Sequence, residues 1–236
     1  MSFSREKNYS RSDVYLKQDY TKPKKMFVDI GSIIEDHSNT STFRLLDVGA
    51  ATGAFIDYTQ SRFPNAETLG VEFDSTLVES AQSAHKPIIQ GDANNLDGID
   101  SDSFDFVTMT GTHSIFDNFE PAFSECIRVC RPNGLVIVTG IFNDYPVDVQ
   151  IHWRYPENEN ADWHPGYNLF SKESVSKYLL RNTKVTKKKF KKFYLDFELP
   201  QQEDPIRSWT YQKGDEGFRL RNGIMPLNFE ILKISL

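Results

Sequence analysis

The sequence predicts an α/β protein in which a mostly parallel sheet is covered by helices on both faces. Three observations predict this fold. Short apolar runs alternate with helical segments between residues 43 and 139, glycine or proline stands at several of the boundaries, and residues 185–236 carry only strand-like patterns. Apolar strands that alternate with helices form parallel sheets buried on both sides. The strand-like end of the chain adds antiparallel strands and a hairpin, which gives a doubly wound sheet of seven strands.

Each element is assigned from local signals, in order along the chain. Residues 1–25 are polar and Lys-rich, which predicts an N-terminal arm or a short capping helix. Apolar residues recur on one helix face over 26–36 and predict the first helix of the domain. Strands are predicted at 43–48, 68–72, 87–90, 104–109 and 135–139. Helices are predicted at 54–62, 75–84 and 120–129.

The alternation stops after residue 139. Residues 142–170 are rich in aromatic residues, Pro, Asn and His, and have no clear period. A long irregular stretch inside a domain is typical of a lid or a binding loop. Beyond it the sequence predicts a short helix at 171–180, strands at 185–199 and 227–234, and a hairpin at 206–220 that turns at 214–217. We therefore expect one domain over 26–236, with 142–170 as an insertion and 185–236 as a β-rich part.

Composition and charge exclude several classes of function. The chain has 236 residues, with 39% hydrophobic and 25% charged residues, which is ordinary for one folded domain. Its net charge of -6 argues against a nucleic-acid binder. No apolar stretch resembles a signal peptide or a membrane span, so we expect a cytoplasmic protein without membrane contact. Cys126 and Cys130 lack a second pair at zinc spacing, so no metal is expected.

The most informative segment, residues 45–55 (LLDVGAATGAF), lies at the first strand-to-helix junction. Doubly wound folds bind ligands at such junctions, and small residues let the backbone approach a ligand closely. A dinucleotide fingerprint would need glycine at 49, 51 and 54, but Ala51 and Ala54 occupy two of these positions. A nicotinamide-dependent oxidoreductase is therefore disfavoured. Asp47, two residues before Gly49, suits a cationic ligand.

This segment resembles motif I of the class I S-adenosylmethionine-dependent methyltransferases, with Ala51 in place of the middle glycine. The resemblance implies a Rossmann-like fold, S-adenosylmethionine as cofactor and S-adenosylhomocysteine as product. It also implies that Asp47 faces the amino-acid end of the cofactor, Glu72 the ribose hydroxyls and Asp92 the adenine amine. Three acids after three successive strands are difficult to explain by turn chemistry alone. The predicted cofactor-binding residues are Asp47, Gly49, Ala51, Gly53, Glu72, Asp92, Ala93 and Thr110.

Methyl transfer from a sulfonium mainly requires that the acceptor be held in line with the methyl group. A hydroxyl or ammonium acceptor also needs a base to remove its proton. His113 follows the fourth strand and is the candidate base. The alternative is a hydrogen-bonded loop histidine that only shapes the pocket, and the sequence leaves both roles open.

The aromatic insertion supplies the candidate acceptor pocket, with Tyr145, His152, Trp153 and His164 as substrate-binding residues. The alternative is a loop that packs on its own aromatic rings. The lysine run at 184–192 either attracts an anionic acceptor or protects an edge strand, and the second interpretation is favoured.

The C-terminal part resembles bacterial methyltransferases of surface-polysaccharide and secondary-metabolite pathways. We therefore expect a small-molecule acceptor, with a hydroxyl of a sugar or nucleotide-linked sugar first and an amine second. A protein or RNA methyltransferase and an inactive methyltransferase-like binding protein are the alternatives.

Overall fold

A central sheet organises the chain in the computed structural model. The structure describes residues 12–18, 22–38, 40, 42–156, 162–201, 203–212 and 218–236. Its helices are α1 (Ser12–Tyr15), α2 (Lys25–His37), α3 (Ala54–Arg62), α4 (Ser75–Ser83), α5 (Glu120–Val129) and α6 (Lys172–Leu180). Its strands are β1 (Arg44–Val48), β2 (Glu67–Glu72), β3 (Ile88–Gln90), β4 (Phe104–Thr110), β5 (Cys130–Asn143), β6 (His152–Trp153), β7 (His164–Pro165), β8 (Phe170–Ser171), β9 (Lys187–Lys192), β10 (Trp209–Gln212), β11 (Phe218–Arg221), β12 (Pro226–Leu227) and β13 (Phe229–Ser235).

The main strands of the sheet are ordered β3-β2-β1-β4-β5-β13-β9. The five strands from β3 to β5 pair in parallel, whereas β13 pairs antiparallel with both β5 and β9. This topology confirms the predicted mostly parallel, doubly wound sheet with antiparallel strands from the C-terminal part. The carboxyl ends of β1, β2, β3 and β4 therefore meet at one edge, where doubly wound folds bind ligands.

Helices cover both faces of the sheet because consecutive strand residues point to opposite sides. Leu45 packs with Phe106 and with the apolar face of α2 in one core cluster. Leu46 packs with Val107 and with Phe123 of α5 in the other. The buried side chains of β1 and β4 therefore fix the position of the helices on each face of the sheet.

The C-terminal part differs in detail from the predicted strands. The strand predicted at 185–199 is limited to β9, and the chain beyond it leaves the sheet. β9 ends the strand order, so its lysines lie on an edge strand, in agreement with the favoured interpretation. The predicted hairpin is present as β10 and β11, which form a separate small sheet with β12. Its turn at 214–217 and residues 1–11 of the predicted arm lie outside the described residues.

No helix in the described part of the chain is both long enough and apolar enough to cross a membrane.

A buried ion pair ties β13 to α6. Glu230 is 1% exposed, and its carboxylate pairs with the Lys172 ammonium. The same ammonium pairs with Asp144 at 2.5 Å, and Asn228 donates to Glu230 at 3.4 Å. A buried carboxylate that loses its cation keeps the cost of desolvation without the compensating attraction.

We expect Lys172→Met to lower the free energy of unfolding by about 3 kcal/mol, because it leaves Glu230 buried without its cation. Lys177→Met is the matched control, since Lys177 pairs with Glu173 on the exposed side of the same helix. That change should cost less than about 1 kcal/mol. Urea unfolding of both variants measures the difference, and equal losses would contradict the role given to Glu230.

Candidate active site

The 45–55 motif forms a tight turn between β1 and α3. The backbone N–H groups of Gly49 and Ala50 donate to the Val71 carbonyl at 2.8 and 3.0 Å, which holds the turn against β2. Gly49 has a φ of +79°, and a Cβ atom there would overlap the Thr112 hydroxyl. Only glycine therefore fits at this position.

Glu72 at the end of β2 holds this turn in place. Its Oε2 accepts the N–H of Ala51 at 2.8 Å, and its Oε1 accepts the N–H groups of Phe73 and Asp74 at 2.8 and 2.9 Å. Ala51 has a φ of +48°, a left-handed conformation that is unfavourable for alanine. The hydrogen bond to a charged carboxylate stabilises that conformation.

A first cavity of about 470 Å³ opens at this edge, which is an ordinary size for a small-molecule site. Gly49, Ala51, Glu72, Asp92 and Ala93 line it, so five of the eight predicted cofactor residues lie around one space. Apolar contacts come from Val71, Phe73, Leu77, Ile115 and Phe116. The cavity therefore combines carboxylates at its edge with apolar walls, which suits the ribose and adenine of a nucleoside.

The acids around the first cavity have different roles. Asp92 is exposed, and its Oδ1 accepts the backbone and side-chain N–H groups of Asn94 at 2.8 and 3.1 Å. Asp74 instead caps α4, because its Oδ1 accepts from Thr76 at 2.9 Å and Leu77 at 3.4 Å. Both of these carboxylates line the first cavity together with Glu72.

A second cavity of about 460 Å³ lies beside the first. Gly49, Ala51, Gly111 and Tyr15 line both spaces, so the two cavities meet at the turn after β1. Asp47, Thr110 and Thr139 line only the second cavity. The hydroxyls of Thr110 and Thr139, on neighbouring strands, are buried and have no hydrogen-bond partner among the described residues. Buried polar atoms of this kind favour a polar ligand in this space.

Asp47 is the buried acid of the second cavity and lies two residues before Gly49. It is 3% exposed, and its Oδ1 accepts the Thr108 hydroxyl at 2.7 Å. Burial raises the pKa of Asp47 to about 7; the Thr108 hydrogen bond lowers it in part, and the negative charge of Glu72 raises it further. An ionised carboxylate here favours a cationic group next to it.

Gly53 is the one predicted cofactor residue that lines neither cavity. It precedes the first residue of α3 with a φ of +78°, and a Cβ atom there would lie 2.7 Å from Lys86 Cδ and 2.8 Å from Ile88 Cδ1. Its role in the structure is to shape the turn and to let this turn lie closely against Lys86 and Ile88.

Comparisons with known proteins agree with this geometry. Residues 46–138 match the family described as a methyltransferase domain. The malonyl-[acyl-carrier protein] O-methyltransferase of Methylococcus capsulatus is 28% identical over 124 residues, which cover 50% of this chain and 44% of that protein. The chain thus spans less than half the length of this curated relative.

Two solved structures show the same fold. A SAM-dependent methyltransferase from Thermotoga maritima superposes with a TM-score of 0.52 at 18% identity, covering 89% of this chain and 88% of that one. The phosphoethanolamine N-methyltransferase 2 of Haemonchus contortus, in complex with S-adenosyl-L-methionine, gives 0.53 at 16% identity and covers 71% and 38%.

Residues 46–138 thus form a methyltransferase domain by similarity, in agreement with the predicted resemblance to class I S-adenosylmethionine-dependent methyltransferases. The family match covers the strands that build the first cavity, which confirms the resemblance of the 45–55 motif. The segments that complete the second cavity come from outside residues 46–138, for example Tyr15, Tyr167 and Arg207.

The methyltransferase domain holds His113 in its core. The imidazole is fully buried, stacks on Phe142 with ring centroids 4.5 Å apart, and contacts the Ile141 carbonyl through Nε2 at 3.1 Å. Burial lowers the pKa of His113 to about 4, although the hydrogen bond to Ile141 acts in the opposite direction. His113 lines neither cavity, whereas Thr112 lines the first and Ser114 the second. This placement disfavours the role of a base and favours that of a hydrogen-bonded histidine that only shapes the pocket.

The aromatic insertion packs largely on itself. The rings of Trp153 and His164 lie 5.0 Å apart across the short β6–β7 pair, where His152 is also found, and Tyr145 is 75% exposed. None of these four predicted substrate residues lines either cavity. The insertion contributes Tyr167 instead, next to the buried Asn168, which donates to the Phe116 carbonyl at 2.7 Å.

The residues that close the second cavity were not predicted from the sequence. Tyr15 and Lys24 come from the predicted arm, Tyr167 from the insertion, and Arg207 from the β-rich part. Each belongs to a different segment, so no local spacing connects them. The only available signal was the polar or aromatic character of each residue by itself.

The buried Asp47 gives the free protein a pH-dependent stability. Its pKa of about 7 in the fold exceeds the ordinary value of 3.8, so the folded state binds more protons between these pH values. Stability from this group is therefore complete below about pH 4 and is lost as the pH rises to 7. We expect Asp47→Asn, which cannot ionise, to match the wild type near pH 4 and to exceed its unfolding free energy by up to about 4 kcal/mol at pH 8.

Urea unfolding without cofactor at both pH values measures this effect. Asp36→Asn, on the exposed face of α2, is the control and should follow the wild type at both pH values. A constant difference between Asp47→Asn and the wild type across this range would contradict the assignment.

Proposed function

We propose that this methyltransferase domain binds S-adenosylmethionine in the first cavity and transfers its methyl group to a small molecule in the second. The observation that carries this proposal is that the two cavities meet at the Gly49–Ala51 turn, and that the buried Asp47 lines the second cavity just before this turn. The cofactor supplies an electrophilic methyl group, so the protein's part is binding, orientation and exclusion of water.

The residues around the first cavity fit this cofactor. Glu72 uses three of its acceptor positions for backbone N–H groups, and a carboxylate offers about four, so it can also accept from a ribose hydroxyl. Asp92 can accept from an adenine amine through Oδ2, because its Oδ1 already binds Asn94. Asp47 offers its charge to the ammonium or sulfonium group of the amino-acid part.

The acceptor group in this proposal is a hydroxyl, with an amine as second choice. The relatives support this chemistry only in outline, because one is named as an O-methyltransferase and another as an N-methyltransferase. A sugar or nucleotide-linked sugar remains our proposal for the acceptor, based on the resemblance of the C-terminal part. The net charge of -6 disfavours RNA as the acceptor.

The second cavity offers several groups to orient such an acceptor. Thr110 and Thr139 present buried hydroxyls without partners in the described structure, and Ser114 and Tyr167 lie on the same lining. Hydroxyl groups can donate to or accept from an acceptor oxygen, which suits positioning. His113 can act on the acceptor only through these neighbours, because its imidazole does not reach the cavity surface.

Isothermal titration with S-adenosylmethionine and S-adenosylhomocysteine tests the proposed cofactor site directly. We expect both to bind the wild type and Glu72→Ala to bind them at least tenfold more weakly. That variant removes a ribose acceptor and releases Ala51 from its strained conformation. Glu79→Ala, an exposed residue of the adjacent α4, should retain wild-type affinity. Unchanged affinity in Glu72→Ala would contradict the site, and a folded wild type that binds neither compound would favour an inactive binding protein.

A further inference from the structure

The second cavity has a cationic end formed by two segments that are distant in sequence. Lys24 lies just before α2, and Arg207 lies in the chain between β9 and β10; both line this cavity. Part of the Lys24 side chain is exposed, yet its surroundings lower the pKa of its ammonium to about 8, through burial first and repulsion by Arg207 second. The two positive groups are therefore close enough to interact unfavourably.

Within the described part of the chain, no acidic side chain neutralises the Arg207 guanidinium. Its side chain forms no hydrogen bond or ion pair with any residue that the structure describes. Asp204 is nearby in sequence, but its Oδ1 accepts the Ile206 N–H at 3.0 Å and its carbonyl accepts the Arg207 N–H at 3.1 Å. Lys25, which also lines the cavity, differs in this respect because it pairs with Asp29 at 3.1 Å.

The rest of the wall near this end is apolar. It is formed by Phe27, Leu195, Phe197, Leu199, Ile206 and Leu220. A half-buried guanidinium with five donors, beside a second cation and apolar walls, is stabilised when an anion binds to it. Asp47 is the one acid on the described lining of this cavity, and its interacting neighbours are Thr108 and Glu72 on the sheet side.

We propose that the methyl acceptor carries an anionic group, a phosphate or carboxylate, that binds to the Arg207 guanidinium. This inference rests on the proposed function, because it names the chemical class of the molecule in the second cavity. A guanidinium holds such groups through two parallel hydrogen bonds, which fixes orientation as well as position. The anionic group would anchor one end of the acceptor, while its hydroxyl or amine lies toward Asp47 and the turn after β1.

Phenyl phosphate is a suitable probe, since it combines an anionic group with a ring for the apolar wall, and phenol is its neutral counterpart. Calorimetric titration of the full chain, saturated with S-adenosylhomocysteine, compares the wild type with Arg207→Gln. We expect phenyl phosphate to bind the wild type at least tenfold more tightly than phenol, and Arg207→Gln to lose at least tenfold in phosphate affinity. Arg154→Gln is the matched control, because Arg154 lies over Trp163 outside both cavities and should keep wild-type affinity.

Failure of this inference differs from failure of the proposed function. Arg207 does not line the first cavity, so Arg207→Gln should bind S-adenosylhomocysteine like the wild type. A wild type that does not bind S-adenosylhomocysteine would contradict the proposed function. Three results would overturn the anionic acceptor alone, each with normal binding of S-adenosylhomocysteine. The wild type could fail to bind phenyl phosphate, Arg207→Gln could bind phenyl phosphate as tightly as the wild type, or Arg154→Gln could lose as much phenyl phosphate affinity as Arg207→Gln.

Discussion

Glu72 accepts hydrogen bonds from two separate turns, and the cofactor edge of the sheet depends on this arrangement. One oxygen binds the N–H of Ala51 after β1, and the other binds the N–H groups of Phe73 and Asp74 after β2. Ala51 has the left-handed conformation that costs an alanine about 1 kcal/mol. The carboxylate offsets this cost and also fixes the distance between the two turns. A single acid thus maintains the backbone shape of the first cavity and lines that cavity.

The second constraint is the burial of Asp47. Thr108 satisfies one carboxylate oxygen of Asp47, but no cationic side chain in the described part of the chain pairs with this acid. Among the described residues, the ionised form of this acid therefore has no compensating positive charge. A cationic ligand next to Asp47 would supply that charge, so ligand affinity and folding stability are linked through this residue. Such a site lowers the stability of the free protein and raises its affinity for a cationic ligand.

The parts of the structure that the sequence predicted are those set by local pattern and by parallel pairing. Glu72 and Asp92 each end a strand or follow one, and a parallel sheet brings such ends together without further information. The direction of a side chain in an irregular loop carries no comparable signal. For this reason the sequence could not show that His113 lies in the core while its neighbours Thr112 and Ser114 line the cavities. Composition alone predicted an acceptor pocket in the insertion; in the structure Trp153 and His164 face each other across β6 and β7.

Sequence similarity to known proteins covers the residues of the two cavities to different extents. The family match spans residues 46–138, which include the turn after β1, Glu72 and Asp92. The N-terminal segment and the chain between β9 and β10, which close the second cavity, lie outside that range. Similarity therefore carries information about the space for the cofactor and much less about the space for the acceptor. The acceptor has to be inferred from this chain's own side chains, and the most specific chemical feature among them is a guanidinium that pairs with no anion among the described residues.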